Sequence, residues 1–176
     1  MTIRSVLVLA LLSVACARTR PAEPIGPASR EPVADALTTD GDVLVVRFRD
    51  RSVPPPYHHS FTITVTPTEI VRTDDAYGEL LESRRVAVEP AVFTEMVQWL
   101  GAAGVRDVPA SEDDGCTGGT GHEVALRRGG TDVVHGSVEH CQGDRGSLGG
   151  DVAGFAAHVE QAAERLLPRS TLPRAR

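Results

Sequence analysis

The segment 60–66 (SFTITVT), in which apolar and hydroxyl side chains alternate strictly, most constrains how this chain can fold. Successive side chains of a β-strand point to opposite faces of its sheet. The alternation therefore predicts a strand with Phe61, Ile63 and Val65 facing inward, and with Ser60 and the threonines facing outward. The chain must accordingly build a sheet that buries one face of this strand.

Five further strands are predicted from similar patterns. In the first, Val43 to Arg49, the side chains of Val43, Val45, Arg47 and Arg49 share one side, and those of Leu44, Val46 and Phe48 share the other. The other four are Glu69 to Thr73, Arg84 to Val88, His122 to Arg128 and Thr131 to Val138. Gly129-Gly130 reads as a two-residue hairpin turn, which places Arg127 opposite Asp132 with opposite charges.

Two helices are predicted from apolar residues that recur at intervals of three and four. The first begins at Pro90, a favoured first residue of a helix, and ends at Gly101 and Gly104. Its apolar face consists of Val92, Phe93, Met96, Val97 and Leu100. The second carries a stripe of Val152, Phe155, Val159, Ala162 or Ala163, and Leu166, and it ends before Pro168.

The predicted order of elements is thus β-β-β-β-α-β-β-α. Strands that come in hairpins with only two helices favour an α+β fold: an antiparallel sheet of hairpins with two helices packed on one face. We expect a single domain over residues 39–168 and a disordered tail at 169–176. Its core should contain Phe61, Ile63, Val65, Phe93, Val124, Leu126, Val133 and Phe155.

The N-terminus has the pattern of a secretory signal. Arg4 supplies a positive charge, residues 5–14 are apolar or small, and Ala15-Cys16 follows. The apolar run is about half of the ~20 residues that a transmembrane helix needs. The segment 12–16 (LSVAC) resembles the lipobox of bacterial lipoproteins, with Ser13 where Leu is usual. The resemblance implies that a signal peptide 1–15 is removed and that Cys16 carries lipid, including palmitate.

Residues 16–38 are rich in proline and small residues, with mixed charge and no apolar period, so we predict a flexible tether below the lipid. The protein is then exported and anchored to the cell membrane or the outer membrane. The membrane is its expected partner through this anchor, beside an unidentified protein partner. The net charge of −6 argues against nucleic-acid binding, because phosphate backbones repel an acidic protein.

With Cys16 assigned to lipid, Cys116 and Cys141 remain as an even pair in an exported chain, and we predict a disulfide between them. Extending the hairpin register places Cys141 opposite Gly118, close enough to Cys116 for a bridge. The alternative is a zinc site of Cys116, His122, His140 and Cys141, whose residue types suit zinc although their spacing does not.

The patterns of the remaining candidate groups favour ordinary structural roles. Glu112-Asp113-Asp114 lacks the ligand spacing of a calcium loop, and the Gly-rich segment 115–121 lacks the lysine of a phosphate-binding loop. His58 and His59 are interpreted as surface histidines, since His59 and Ser60 point to opposite faces of a strand. Ser147 lacks the glycine spacing of a nucleophile elbow, and Trp99 is expected in the core or at an interface.

No catalytic, cofactor-binding or metal-binding set is therefore predicted. The sequence favours a non-enzymatic, lipid-anchored envelope protein that binds a partner or supports the envelope. The alternative is a domain that resembles small secreted protease inhibitors in the order of its elements, with the proline-stiffened loop 51–59 as its inhibitory segment. A hydrolase with an unrecognised site is a third hypothesis.

Overall fold

The computed structural model describes residues 41–51, 58–110, 118–141 and 143–172. Within these ranges the strands are β1 (Val43–Asp50), β2 (Ser60–Val65), β3 (Glu69–Ala76), β4 (Glu79–Ala87), β5 (Arg106–Asp107), β6 (Thr120–Arg128), β7 (Thr131–His140), β8 (Asp144–Gly146) and β9 (Leu148–Gly149). The helices are α1 (Pro90–Ala102) and α2 (Val152–Leu166). No helix in the described part of the chain is long and apolar enough to cross a membrane.

Seven of the strands form one antiparallel sheet in the order β4-β3-β2-β1-β6-β7-β8, and β5 pairs with β9 in a small second sheet. The predicted α+β fold with an antiparallel sheet is confirmed. The predicted order of elements is incomplete, because β5, β8 and β9 are missing from it. Each is only two or three residues long, which is too short to show a period in the sequence.

The core lies between one face of the large sheet and the two helices. Helix α2 packs across the central strands β1, β2 and β6 and contacts α1. Phe93 of α1 and Phe155 of α2 are buried in the same apolar cluster as Leu44, Val46 and Ile63 of the sheet. Neither of the two described helices covers the opposite face of the sheet.

The hairpin of β6 and β7 turns at Gly129 and Gly130, whose φ angles of 51° and 81° suit the predicted two-residue turn. Arg127 lies opposite Asp132, as predicted. The register then shifts by one residue between Leu126 and Arg127, which marks a β-bulge.

This bulge corrects two predictions. Leu126 lies opposite Val134, so Val134 enters the core while Val133 is only partly buried. Continued beyond the pair of Thr120 and His140, the same register places Cys141 across from Gly119. The predicted position opposite Gly118 is therefore wrong by one residue.

The hairpin of β3 and β4 is longer than predicted. It turns at Tyr77 and Gly78, with φ angles of 50° and 86°, and β4 already begins at Glu79 rather than at Arg84. Positive φ at both central residues is typical of a two-residue hairpin turn whose backbone twist matches that of the flanking strands. The prediction failed here because the polar segment around the turn shows no alternation.

Helix α2 ends differently from its predicted stripe. Leu166 is 43% exposed, whereas Leu167 is buried. Leu167 adopts an extended backbone (φ −69°, ψ 150°), because the residue before a proline disfavours the helical conformation. The change of backbone turns the side chain of Leu167, instead of that of Leu166, into the core.

An ion-pair network attaches α2 to the outer strands of the sheet. Arg72 of β3 binds Asp74 (2.8 Å) and Glu160 of α2 (3.0 Å), and Arg84 of β4 binds Glu164 of α2 (2.6 Å). Arg72 and Arg84 are each 8% exposed, so these charges are paired close to the core. The network therefore fixes where α2 lies along the sheet.

The start of the predicted tail also contacts β4. Ser170 and Thr171 donate hydrogen bonds to the carboxylate of Glu82 and lower its pKa to about 2, since these bonds stabilise the charged form. Residues 173–176 lie outside the described residues.

Candidate ligand cleft on the open face of the sheet

A cleft of about 390 Å³ lies on the helix-free face of the sheet, where β1 ends, β2 begins and the hairpin of β3 and β4 turns. Its walls are formed mainly by polar side chains. The residues that line the cleft are Arg47, Arg49, Asp50, Arg51, His58, Ser60, Asp75, Tyr77 and Gly78.

The arginines of β1 supply the positive charge of this cleft. Glu123 of β6 lies directly opposite Arg47, yet its carboxylate binds Arg49 at 2.6 Å. Arg51 forms an ion pair with Glu139 at 2.9 Å. The side chain of Arg47 forms no hydrogen bond or ion pair with another described residue, and the buried Nε–H groups of Arg47 and Arg49 both lack an acceptor.

Two nearly inaccessible polar side chains form the opposite wall. His58 is 6% exposed and Ser60 is 4% exposed. The Oγ atom of Ser60 accepts a hydrogen bond from the backbone N–H of Asp50 (3.3 Å) and lies 3.5 Å from Nε2 of His58. The Nδ1 atom of His58 accepts from the backbone N–H of Tyr77 (3.3 Å), and the two rings stack with centroids 4.0 Å apart.

This arrangement determines what His58 can do for Ser60. Since Nδ1 accepts a hydrogen bond, the neutral ring carries its proton on Nε2 and donates toward Ser60. A general base would have to turn a lone pair toward that hydroxyl. In this geometry His58 therefore holds Ser60 in place rather than activating it as a nucleophile.

The interpretation of His58 as a surface histidine is wrong, because the stacked Tyr77 ring and the adjoining strands cover it. The predicted outward direction of Ser60 is correct, but its side chain is buried against this histidine instead of facing solvent.

A second polar cluster links β6, β7 and β8 on the helix-covered face. Nδ1 of His122 lies 2.9 Å from Nε2 of His140, and Nδ1 of His140 lies 2.7 Å from the carboxylate of Asp144. Burial and, to a smaller extent, the nearby His140 lower the pKa of His122 to about 4, while Asp144 acts in the opposite direction. His122 is therefore neutral near pH 7, and the ring of Phe48 packs beside it.

The structure brings together two members of the alternative zinc set, His122 and His140, through this hydrogen bond. No cluster of three or more metal-ligand side chains occurs among the described residues. Cys116 lies outside the described residues, so its disulfide with Cys141 stays a prediction. Residues 112–114, weighed for calcium, also lie outside them.

Ser147 is placed between β8 and β9, where it packs against the sheet. Its Oγ accepts a hydrogen bond from the backbone N–H of Ser137 (3.2 Å), and its own N–H donates to the carbonyl oxygen of Ser137 (2.9 Å). A Cβ at Gly136 would clash with this Oγ and crowd the side chain of Leu148, so glycine permits the close approach. These contacts explain Ser147 as a packing residue.

Trp99 is 44% exposed and stacks on His158 of α2 with ring centroids 3.9 Å apart. It is therefore not a core residue but covers the outer contact between the two helices.

No protein-family model matches the chain, and no curated protein matches its sequence. Sequence analysis placed Arg47 and Arg49 on one side of β1 but did not recognise them as a site. The available signal was a pair of arginines on the same face of a strand that is otherwise apolar.

Proposed function

We propose that this chain is an exported bacterial lipoprotein, anchored through Cys16, whose folded domain binds a small ligand without catalysing a reaction. The observation that carries the binding role is the cleft beside Arg47. Its guanidinium group has no partner among the described residues, although Glu123 stands directly across the strand pair. A half-buried charged group without a counter-ion needs a partner, and a bound ligand of opposite charge would supply it.

The direction of the His58 hydrogen bonds supports binding over hydrolysis. The hydroxyl of Ser60 lies 3.5 Å from Nε2 of His58, and the histidine donates toward it. The hydroxyl keeps the weak nucleophilicity of an ordinary serine when no base accepts its proton.

The anchor is supported by the lipobox-like segment that ends in Ala15-Cys16, which lies outside the described residues. A tether over residues 16–38 would hold the cleft away from the membrane surface and leave it open to small molecules. Either the cell membrane or the outer membrane would serve as the support.

A ligand screen with site variants tests the binding role. The full chain is screened by thermal shift against small metabolites, together with Arg47→Gln and with Arg85→Gln as a matched control. Arg85 is an exposed arginine of β4 that does not line the cleft. We expect compounds that stabilise the wild type and the control but not Arg47→Gln. Compounds that stabilise all three proteins equally, or no compounds at all, would contradict a binding role for this cleft.

A further inference from the structure

We infer that the cleft binds a small organic carboxylate with a single negative charge. This inference rests on the proposed binding function and specifies the chemical class of its ligand. Three features of the cleft lead to it: the balance of charge, the unmet donors of two arginines, and an exposed aromatic wall.

The charges around the cleft favour a ligand with no more than one negative charge. Two of the three arginines in the lining already have carboxylate partners, Glu123 and Glu139. Arg47 is the third, and no described carboxylate forms an ion pair with it. Asp50 and Asp75 also line the cleft, and they would repel a ligand with two or more negative charges more strongly than a ligand with one.

The donors favour a planar anion. A guanidinium group presents parallel N–H donors that match the two oxygens of a carboxylate. The Nε–H groups of Arg47 and Arg49 lie on the same face of β1, and neither has an acceptor. A buried donor without an acceptor is costly. An anion that draws the two side chains toward the cleft would supply the acceptors that they lack.

The aromatic wall favours an organic ligand over an inorganic anion. Tyr77 is 61% exposed, and its ring lies over His58 beside the charged groups. Its φ of +50° is rare for a residue with a side chain, and such conformations are often found at binding sites. Because the turn holds the ring in place, the apolar part of a carboxylate ligand can pack against it.

The size of the cleft is consistent with this class. Its volume of about 390 Å³ is at the lower end of the range of small-molecule sites, about 300 to 1,000 Å³. A ligand of modest size, such as an aromatic or short aliphatic acid, would occupy it.

Titration of the ¹⁵N-labelled full chain, followed by NMR at the arginine Nε–H and backbone amide signals, tests the ligand class. The probes are benzoate, its uncharged isostere benzamide, acetate and inorganic phosphate. We expect benzoate to shift the signals of Arg47, Arg49 and Tyr77 in a saturable way. Acetate should bind more weakly because it lacks a ring, and benzamide at least tenfold more weakly because it lacks the charge.

Variants then assign the effect to Arg47. Arg47→Gln should weaken benzoate binding at least tenfold, whereas Arg85→Gln should leave it unchanged. Benzoate binding that Arg47→Gln does not affect would overturn the inference. The mapping on the wild-type protein remains decisive even if this variant folds poorly.

The outcomes separate the ligand class from the proposed function. If benzamide or phosphate binds in the cleft as tightly as benzoate or more tightly, the carboxylate assignment is wrong and a binding role stands. If no probe shifts any signal of the cleft, and the metabolite screen also finds no ligand there, the proposed function itself fails.

Discussion

The ring of His58 accepts a hydrogen bond at Nδ1 from the backbone N–H of Tyr77, at 3.3 Å. This bond joins the segment before β2 to the turn between β3 and β4, which are distant in sequence. It also directs the proton on Nε2 toward Ser60, 3.5 Å away. The buried ring of His58 thus connects both ends of the cleft. Because it donates toward Ser60, it holds that hydroxyl in place without activating it.

Replacing this ring should destabilise the domain. His58→Ala removes the acceptor for Tyr77 N–H and the contact to Ser60, and it leaves the Tyr77 ring without its stacking partner. We expect a loss of about 1 to 3 kcal/mol in the free energy of unfolding, the usual cost of leaving a buried polar group unpaired. Urea denaturation measures it.

His59→Ala is the matched control, since it removes the same side chain at the neighbouring position, where the ring is only half-buried. Equal losses for the two variants would show that the buried contacts of His58 do not contribute as argued.

The fold was predictable from local patterns where a pattern extends over enough residues. Alternation found β2, and apolar spacing found α1 and α2, because each buries one face over six residues or more. The turn at Tyr77 and Gly78 was missed, since Tyr-Gly is not among the common sequences for positive φ at both positions. The bulge beside Arg127 was missed because an inserted residue leaves the apolar pattern almost unchanged.

The cleft could be predicted only in part. The alternation of β1 shows that Arg47 and Arg49 share a face, but it does not show which of them Glu123 neutralises. That choice depends on the diagonal geometry between two strands. The partner of Ser60 depends on where the chain places His58 after the segment 52–57, which carries no periodic signal.

The neutral ring of His122 should make the stability of the domain sensitive to acid. Its pKa is about 4 in the folded protein and 6.5 in its ordinary state. Between these values the unfolded chain binds a proton that the folded protein does not, so stability falls as the pH is lowered from 6.5 to 4. Above pH 6.5 this group has no effect.

Urea midpoints measured across this range test the effect. His122→Gln should flatten the decline between pH 6.5 and 4, whereas His135→Gln, at an exposed position of β7, should retain it. His140 and Asp144 face the same cluster, so NMR titration of each ring should accompany the unfolding data. An unchanged decline in His122→Gln would assign it to other groups.

The carboxylate of Asp74 should be essential to the ion-pair network. It binds Arg72 at 2.8 Å and lies 3.7 Å from Arg84, and both arginines are almost inaccessible. Removing one partner of a buried pair typically costs about 3 to 5 kcal/mol. We expect Asp74→Ala to lose about 3 kcal/mol, because Glu160 and Glu164 remain as partial counter-ions.

Urea denaturation of Asp74→Ala and of the exposed Glu79→Ala provides the comparison. A loss below about 1 kcal/mol in Asp74→Ala, as is typical of an exposed ion pair, would mean that Glu160 and Glu164 alone suffice as counter-ions for the two arginines.

The anchor is tested by the fate of Cys16. Cys16→Ser should move the protein from the membrane fraction to the soluble fraction, or leave it unprocessed with residues 1–15 attached. Mass spectrometry of the wild-type protein should show lipid on an N-terminal cysteine. A soluble wild-type protein that is cleaved at another residue would mean that Ser13 has removed the lipobox character of the segment.

The oxidation state of Cys116 and Cys141 distinguishes a structural role from a metal-binding role at the open end of the β6–β7 hairpin. Cys141 follows directly after β7, and Cys116 precedes β6 in the sequence, so a bridge would close the end of the hairpin remote from its turn. The loop-entropy relation gives about 3 to 4 kcal/mol for a loop of this length. Reduction should therefore lower the melting temperature without releasing metal, and chelator alone should change nothing.

Thiol counting with and without reductant, alongside metal analysis of the purified protein, checks the prediction. Cys116→Ser with Cys141→Ser should melt where the reduced wild type melts, because both lack only the cross-link. A count of two free thiols together with stoichiometric zinc would instead indicate a metal site of the two cysteines with His122 and His140, whose Nδ1 and Nε2 atoms lie 2.9 Å apart. That result would overturn the disulfide, because a thiolate that holds zinc is not available for a bridge.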